Sequence, residues 1–174
     1  MTQFRVLAFA VAALLPVAAA CSDDNSSPSN GATSFTATLS GANEVPPVTT
    51  DATGQATLTL NGQQIEYTVS VTNITNPIVA HIHIAPTDQN GPVRLNLCGT
   101  GDPLPACTGG TGVLATGTNG TTVGTPAITF DSLVSAMRTG GAYVNVHTNS
   151  EGCTAGQPGC NPGGEIRGQV QTTN

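Results

Sequence analysis

The stretch Gln55–Ile74, QATLTLNGQQIEYTVSVTNI, alternates apolar and polar residues on both sides of an Asn-Gly dipeptide. Leu58 and Leu60 alternate with threonines before the dipeptide, and apolar or aromatic residues fill every second position from residue 65 to residue 71 after it. A period of two places successive side chains on opposite faces of a β-strand, and Asn-Gly favours a tight hairpin turn. The stretch therefore predicts two antiparallel strands that bury one face in a core.

The same alternation recurs in shorter segments on either side of this hairpin, separated by turns rich in glycine and proline. These segments are FTATLSG (35–41), PIVAHIHIAP (77–86), GVLATGTN (112–119), AYVNVHT (142–148) and GEIRGQV (164–170). One helix is predicted over ITFDSLVSAMRTGG (128–141), with Asp131 as its cap and Gly140 at its end. Seven or eight short strands with one short helix predict an all-β antiparallel sandwich.

Composition excludes some classes of partner. The 174 residues carry four basic residues, all arginine, against ten acidic ones, and the formal net charge is −6. Nucleic acids and anionic membrane surfaces both require a basic patch. The sequence also has no Gly-x-Ser-x-Gly, Walker-type or dinucleotide-binding motif, so we nominate no catalytic residue.

The N-terminus predicts export. Residues 1–20 contain one arginine followed by an apolar run that ends in three alanines, as in a signal peptide. Cys21 follows directly, and VAAAC resembles a bacterial lipobox, which implies that Cys21 carries the lipid. Residues 21–34 are polar and too poor in large apolar side chains to order themselves, so they predict a flexible tether. We expect residues 35–174 to form the folded domain, held by its lipid anchor in the cell envelope, at the outer membrane or periplasmic side or at the cell surface.

Four further cysteines predict disulfides, since an even number of cysteines in an exported domain favours pairing. They are Cys98, Cys107, Cys153 and Cys160. Three connectivities are possible. The spacing favours two local bridges, Cys98–Cys107 and Cys153–Cys160, each closing a loop rich in glycine and proline.

Five separated motifs carry a family resemblance. They are LSGANEVPPV (39–48), ATGQATLTL (52–60), AHIHIAP (80–86) with the following GPV (91–93), AYVNVHT (142–148) and GEIRGQV (164–170). In this order they resemble the CHRD domain, a family named from the repeats in chordin, over about Phe35–Val170. The chain departs from the family in IAP after the histidines, where a glycine is common, and in the loop from Cys98 to Pro126. The resemblance implies an immunoglobulin-like or superoxide-dismutase-like sandwich and a binding or structural module without catalysis.

All three histidines lie in strand segments. His81 and His83 are two residues apart and therefore share one face of their strand, and His147 lies on the polar face of another. Glu165 lies on the polar face of a third. If these strands are neighbours in one sheet, the four side chains converge.

Two interpretations of this cluster remain open. Three imidazoles suit copper or zinc, with Glu165 as a further ligand or as a hydrogen-bond partner of a ligand. The His-x-His is also similar to the copper-binding element of copper–zinc superoxide dismutases, although this chain lacks the extra histidines of their second metal. Alternatively, the imidazoles form a polar ladder with Glu165, Asn145 and threonine hydroxyls. The sequence thus predicts a lipid-anchored, non-enzymatic CHRD-like module with an unknown protein or small-molecule partner, or else a copper- or zinc-binding protein.

Overall fold

A computed structural model describes residue 1, residues 33–101 and residues 103–173. The signal peptide, Cys21 and nearly all of the tether lie outside these residues, so the division into segments stays a prediction. The described chain forms nine strands, a short 3-10 turn and one helix. The strands are β1 (Ser34–Ser40), β2 (Thr53–Asn61), β3 (Gln64–Ile74), β4 (Pro77–Ile84), β5 (Val93–Cys98), β6 (Gly110–Asn119), β7 (Ala142–Thr148), β8 (Ile166–Gln169) and β9 (Gln171–Thr173). The 3-10 turn is Gly41–Asn43 and the helix α1 is Phe130–Arg138.

The strands form one antiparallel sheet in the order β5-β4-β7-β8-β1-β2-β3-β6, with β9 also paired to β1. A backbone bridge between Leu95 on β5 and Thr122, just after β6, brings the two ends of this series together. The result is a nearly closed barrel or sandwich, which confirms the predicted all-β antiparallel class. Nine strands replace the expected seven or eight because the last segment divides: β8 pairs with β7 and at Arg167 with β1, whereas β9 pairs with β1 alone.

The hairpin predicted from the Asn-Gly dipeptide forms between β2 and β3. β2 and β3 pair without interruption from Thr53 opposite Thr72 to Asn61 opposite Gln64. Gly62 turns the chain with a φ of 61°, in the left-handed region that glycine enters without a steric penalty. The alternate side chains of both strands are buried in the core, together with those of β1. The period of two therefore fixed which face of these strands is apolar.

The helix is correctly predicted, but its cap is not Asp131. The side chain of Thr129 accepts a hydrogen bond from the backbone N–H of Ser132, so Thr129 is the N-cap. Asp131 lies in the first turn, where a negative charge is favourable at the helix N-terminus. Gly140, at a φ of 70°, follows the last turn as predicted. None of the described helical segments combines the length and the apolar character needed to cross a membrane.

Both local disulfides are present. Cys98 and Cys107 have Cα atoms 5.2 Å apart and close a loop between β5 and β6. Cys153 and Cys160 have Cα atoms 5.8 Å apart and close a turn between β7 and β8. The second bridge matters for the site, because the loop that it closes lies next to the histidines.

Candidate metal centre

The three histidines meet on one face of β4 and β7. These strands are neighbours, with His81 opposite Asn145 and His83 opposite Tyr143. The ring centroids are 5.1 Å apart between His81 and His147, 5.6 Å between His81 and His83, and 5.7 Å between His83 and His147. One potential ligand atom from each ring lies within 4.8 Å of the other two. The predicted convergence of the imidazoles is therefore present.

This face is polar but it is not open to solvent. Only 6% of His83 and 8% of His147 are exposed, while His81 is partly buried. The loop between β4 and β5 covers one side, and the disulfide-closed loop between β7 and β8 covers the other. The alternation that placed these residues opposite the core is correct, but folded loops occupy the space that an isolated sheet would leave to water.

Backbone carbonyl groups orient two of the rings. His83 Nδ1 lies 2.9 Å from the carbonyl oxygen of Gly91, and His147 Nδ1 lies 3.0 Å from that of Pro162. A carbonyl oxygen only accepts, so both Nδ1 atoms carry the hydrogen and each Nε2 keeps its lone pair. Such a hydrogen bond to the far nitrogen is the usual support for a metal-bound histidine. Among the described residues, the buried His83 Nε2 has no hydrogen-bond partner.

The spacing of His81 and His147 suits two ligands of one ion. Nδ1 of His81 lies 3.4 Å from Nε2 of His147. Two nitrogens bound tetrahedrally to zinc at about 2.0–2.1 Å are separated by roughly 3.3–3.4 Å. The third ring, His83, has a potential ligand atom within 4.8 Å of those of the other two rings.

Burial keeps the imidazoles neutral. Desolvation, together with the smaller effects of the nearby rings of His147 and His83, lowers the pKa of His81 to about 4. Desolvation likewise lowers the pKa of His83 to about 4, against the opposing effect of its Gly91 hydrogen bond. The pKa of His147 is also lowered by burial. Since a metal ion binds only the unprotonated ring, the cluster is ready for a metal at neutral pH without losing protons first.

Glu165 does not join the histidines, which corrects its predicted place in the cluster. Its fully buried carboxylate accepts hydrogen bonds from Thr50 Oγ1 at 2.7 Å, Thr148 Oγ1 at 2.6 Å and the backbone N–H of Gly159 at 2.7 Å. Asn161 donates to the same carboxylate at 3.4 Å. Glu165 precedes β8, where these donors from neighbouring loops surround it. It therefore secures the disulfide-closed loop and is not within reach as a ligand.

The predicted polar ladder also differs from the observed contacts. The hydrogen bonds from His83 and His147 run to backbone carbonyl groups of covering loops, and the third contact joins His81 to His147. None of these three contacts involves Glu165, Asn145 or a threonine hydroxyl. The strand pairing is as the ladder requires, but the loops supply the partners.

Comparison with known families agrees with this arrangement. The sequence model of the CHRD domain matches residues 35–170. The chain belongs to the CHRD domain family. The match runs from β1 to the end of β8 and includes all three histidines, so the resemblance seen in the motifs is confirmed. A search of curated proteins found no match.

A buried arginine, which the sequence analysis did not single out, organises the site of this CHRD domain. Arg167 is only 1% exposed, and its guanidinium carbon lies 4.5 Å from the centre of the Tyr143 ring. The Tyr143 ring also stacks on His83: the two ring planes are within 8° of parallel, and their centroids are 4.8 Å apart. The guanidinium group donates to oxygens of the 3-10 turn and of the β4–β5 loop. They are Asn43 O, Thr87 O, Gln89 O and Asn90 Oδ1.

A second residue that sequence reasoning missed is Glu44. It lies in the EVPPV motif of the CHRD domain, which the sequence predicts only as an irregular connection. Burial raises the pKa of Glu44 to about 7, although the positive charge of Arg167 and the Asn145 amide lower it in part. An acidic residue inside a proline-rich motif was the available signal, but nothing in the sequence indicated that the motif folds over the polar face of the sheet.

Proposed function

We propose that this CHRD domain is a non-enzymatic binding module of the cell envelope and that its ligand is a copper or zinc ion. His81, His83 and His147 hold the ion. The observation that carries the proposal is the grouping of three ligand atoms within 4.8 Å on rings that burial keeps neutral. Imidazole nitrogen suits both metals, and a set of three leaves one position for water or for a donor atom from a partner.

The buried Nε2 of His83 favours metal binding over a purely structural role. A ladder that only stabilised the sheet would leave each buried ring nitrogen with a hydrogen-bond partner, because an unsatisfied one costs about 1–3 kcal/mol. The Nε2 of His83 has no partner within the described chain, and its lone pair is free. A metal ion would use this lone pair and convert an unfavourable feature of the fold into a binding contact.

The expected location supports the same role. Two disulfides favour a compartment outside the cytoplasm, where thiols are oxidised. The lipobox-like VAAAC adds an anchor at Cys21. We therefore place the domain at the outer membrane or periplasmic side, or at the cell surface, tethered by residues 21–34.

Metal titration of the purified mature chain tests the proposal. After treatment with a chelator, we expect one equivalent of Zn(II) or Cu(II) to bind in isothermal titration calorimetry. At a hundredfold excess of metal over the dissociation constant, the free energy of unfolding should rise by about 2.7 kcal/mol. His83→Ala removes a ligand and should weaken metal binding by at least about tenfold. Even the loss of a residue that only hydrogen-bonds a metal ligand lowers metal affinity by about that factor.

Tyr143→Phe is the matched control for this experiment. Tyr143 stacks on His83, and its hydroxyl accepts from Gly91 N–H at 3.1 Å, so the substitution disturbs the same loop without removing a ligand. Because Tyr143→Phe keeps the stacked ring and all three ligands, metal affinity should fall much less than in His83→Ala. A wild-type melting temperature that neither metal changes would refute the metal proposal.

Cys21→Ser tests the anchor. Without the thiol there is no atom to receive the lipid, and one site that carries several acyl chains is what gives stable attachment. We expect the variant to move from the membrane fraction to the soluble fraction or to stall as unprocessed precursor, as seen by fractionation and immunoblotting. Normal processing together with continued membrane association would show that Cys21 is not the anchor.

A further inference from the structure

A cavity of about 580 Å³ lies beside the histidine face, between residues 44–49 and the disulfide-closed loop 155–164. We call it the Glu44 cavity. Its walls are largely apolar, with three prolines and two valines among the lining residues, and Asn90 and Asn161 add amide groups. The lining includes Glu44 but no basic side chain. The cavity is large enough for a small organic molecule.

One buried oxygen atom of a residue that lines this cavity has no hydrogen-bond partner in the part of the chain that the structure describes. It is Oε1 of Glu44, a residue only 5% exposed. Buried polar atoms are nearly always paired, and leaving one unpaired costs free energy. A carboxylate oxygen is an acceptor, so a group that satisfies it has to bring a hydrogen-bond donor.

From these contacts we infer that the Glu44 cavity binds a primary ammonium group carried on an aliphatic stem. The ammonium group donates charge-assisted hydrogen bonds, which suit the unpartnered carboxylate oxygen of Glu44. The prolines and valines provide an apolar surface for the stem. The inference does not depend on the metal proposal, because it uses different side chains and a different ligand.

The charge balance around Glu44 supports a cationic ligand. Desolvation disfavours the ionised carboxylate, and the positive charge of Arg167 and the hydrogen bond from the Asn145 amide compensate only in part. An ammonium ion in the cavity would supply the missing counter-charge directly at the Glu44 carboxylate. A neutral alcohol of the same length would supply a single donor and no charge.

Titration calorimetry with defined probes tests the inference. The probes are n-butylammonium, 1-butanol as its neutral analogue, tetramethylammonium as a cation without N–H donors, and Nα-acetyl-lysine methylamide as a peptide-borne amine. We expect n-butylammonium, the lysine probe or both to bind at least about tenfold more tightly than 1-butanol and tetramethylammonium. Binding by the lysine probe alone would identify peptide-borne amines as the source of the ligand.

Glu44→Gln is the decisive variant, since it keeps the shape of the side chain and removes its charge. Amine binding should weaken at least about tenfold, while Glu151→Gln, which alters an exposed carboxylate of the neighbouring loop, should leave it unchanged. Zinc binding, measured on the same samples, should be retained in both variants and reports that they are folded. Amine binding that survives Glu44→Gln, or the lack of binding by either amine to the wild type, would overturn the inference. Loss of zinc binding alone would count only against the metal proposal.

Discussion

Arg167→Met should lower the free energy of unfolding by about 3–5 kcal/mol, because a buried charged group that makes several hydrogen bonds is removed. The guanidinium group is held by oxygens on two separate segments, at 2.6 Å from Asn43 O and 3.0 Å from Asn90 Oδ1. Methionine fills similar volume but donates to none of them. The substitution also leaves the buried carboxyl group of Glu44 without its positive neighbour.

The same substitution should weaken both proposed sites. Arg167 connects the 3-10 turn, next to Glu44, with the loop that carries the Gly91 carbonyl behind His83. When that connection is lost, both segments can move away from the sheet. We therefore expect zinc affinity and amine affinity to fall together in Arg167→Met, in contrast to the single-site effects of His83→Ala and Glu44→Gln.

Urea unfolding at neutral pH in the presence of a chelator measures the stability change. Arg167→Lys should recover only part of the loss, because one ammonium group cannot reach the acceptors that the planar guanidinium spans. Arg94→Met is the matched control: Arg94 is also buried, but it donates from Nη1 to Pro126 O, and its Nε has no partner among the described residues. If Arg167→Met lowers the free energy of unfolding no more than Arg94→Met does, the proposed role of Arg167 is contradicted.

The strands were predictable where one face of the sheet packs on the core. Between Gln55 and Ile74 the alternation, the Asn-Gly turn and the buried face all agree, and the structure follows them. β6 is longer than its sequence indicates, since it starts at Gly110 and contains three glycines, which have a low preference for strands. Pairing with the long strand β3 compensates for that weak local preference. Tertiary pairing of this kind cannot be read from a single segment.

The candidate site was only half predictable for a related reason. Periodicity correctly placed His81, His83 and His147 on the same side of neighbouring strands. It could not show which loops cover that side, and those loops determine the hydrogen bonds of each polar residue. Glu165 is bound by donors from the loops, whereas Glu44 comes from a distant loop to lie beside Asn145. Strand patterns fix the direction of a side chain, but they do not identify its partners.

Acidification should destabilise the metal-free protein between about pH 6.5 and pH 4. His81 and His83 have a pKa of about 4 in the folded state, against 6.5 for an ordinary histidine. In this interval the unfolded chain therefore binds more protons than the folded one, and stability rises with pH. The contribution of these rings is complete above the unfolded pKa and is lost as the pH falls through the folded pKa. The lowered pKa of His147 acts in the same direction.

Glu44 opposes this trend. Its folded pKa of about 7 lies above its ordinary value of 4.5, so the folded state holds a proton that the unfolded state has released. Its contribution is therefore present below pH 4.5 and is lost as the pH rises through 7. Each pKa unit corresponds to about 1.4 kcal/mol, and we count roughly half of each shift because the groups keep some contact with solvent. The histidines together outweigh Glu44, and the net loss on acidification should be about 2 kcal/mol.

Urea unfolding of chelator-treated protein at several pH values measures this loss. His81→Gln removes the most exposed of the three imidazoles and should flatten the dependence, because one of the groups that takes up protons on unfolding is gone. Glu44→Gln should make the loss steeper, since it removes the one group that favours the folded state in acid. In Glu44→Gln the opposing group is absent. Unfolding free energies of that variant that stay constant or increase from pH 6.5 to pH 4 would show that the imidazoles are not held neutral by burial.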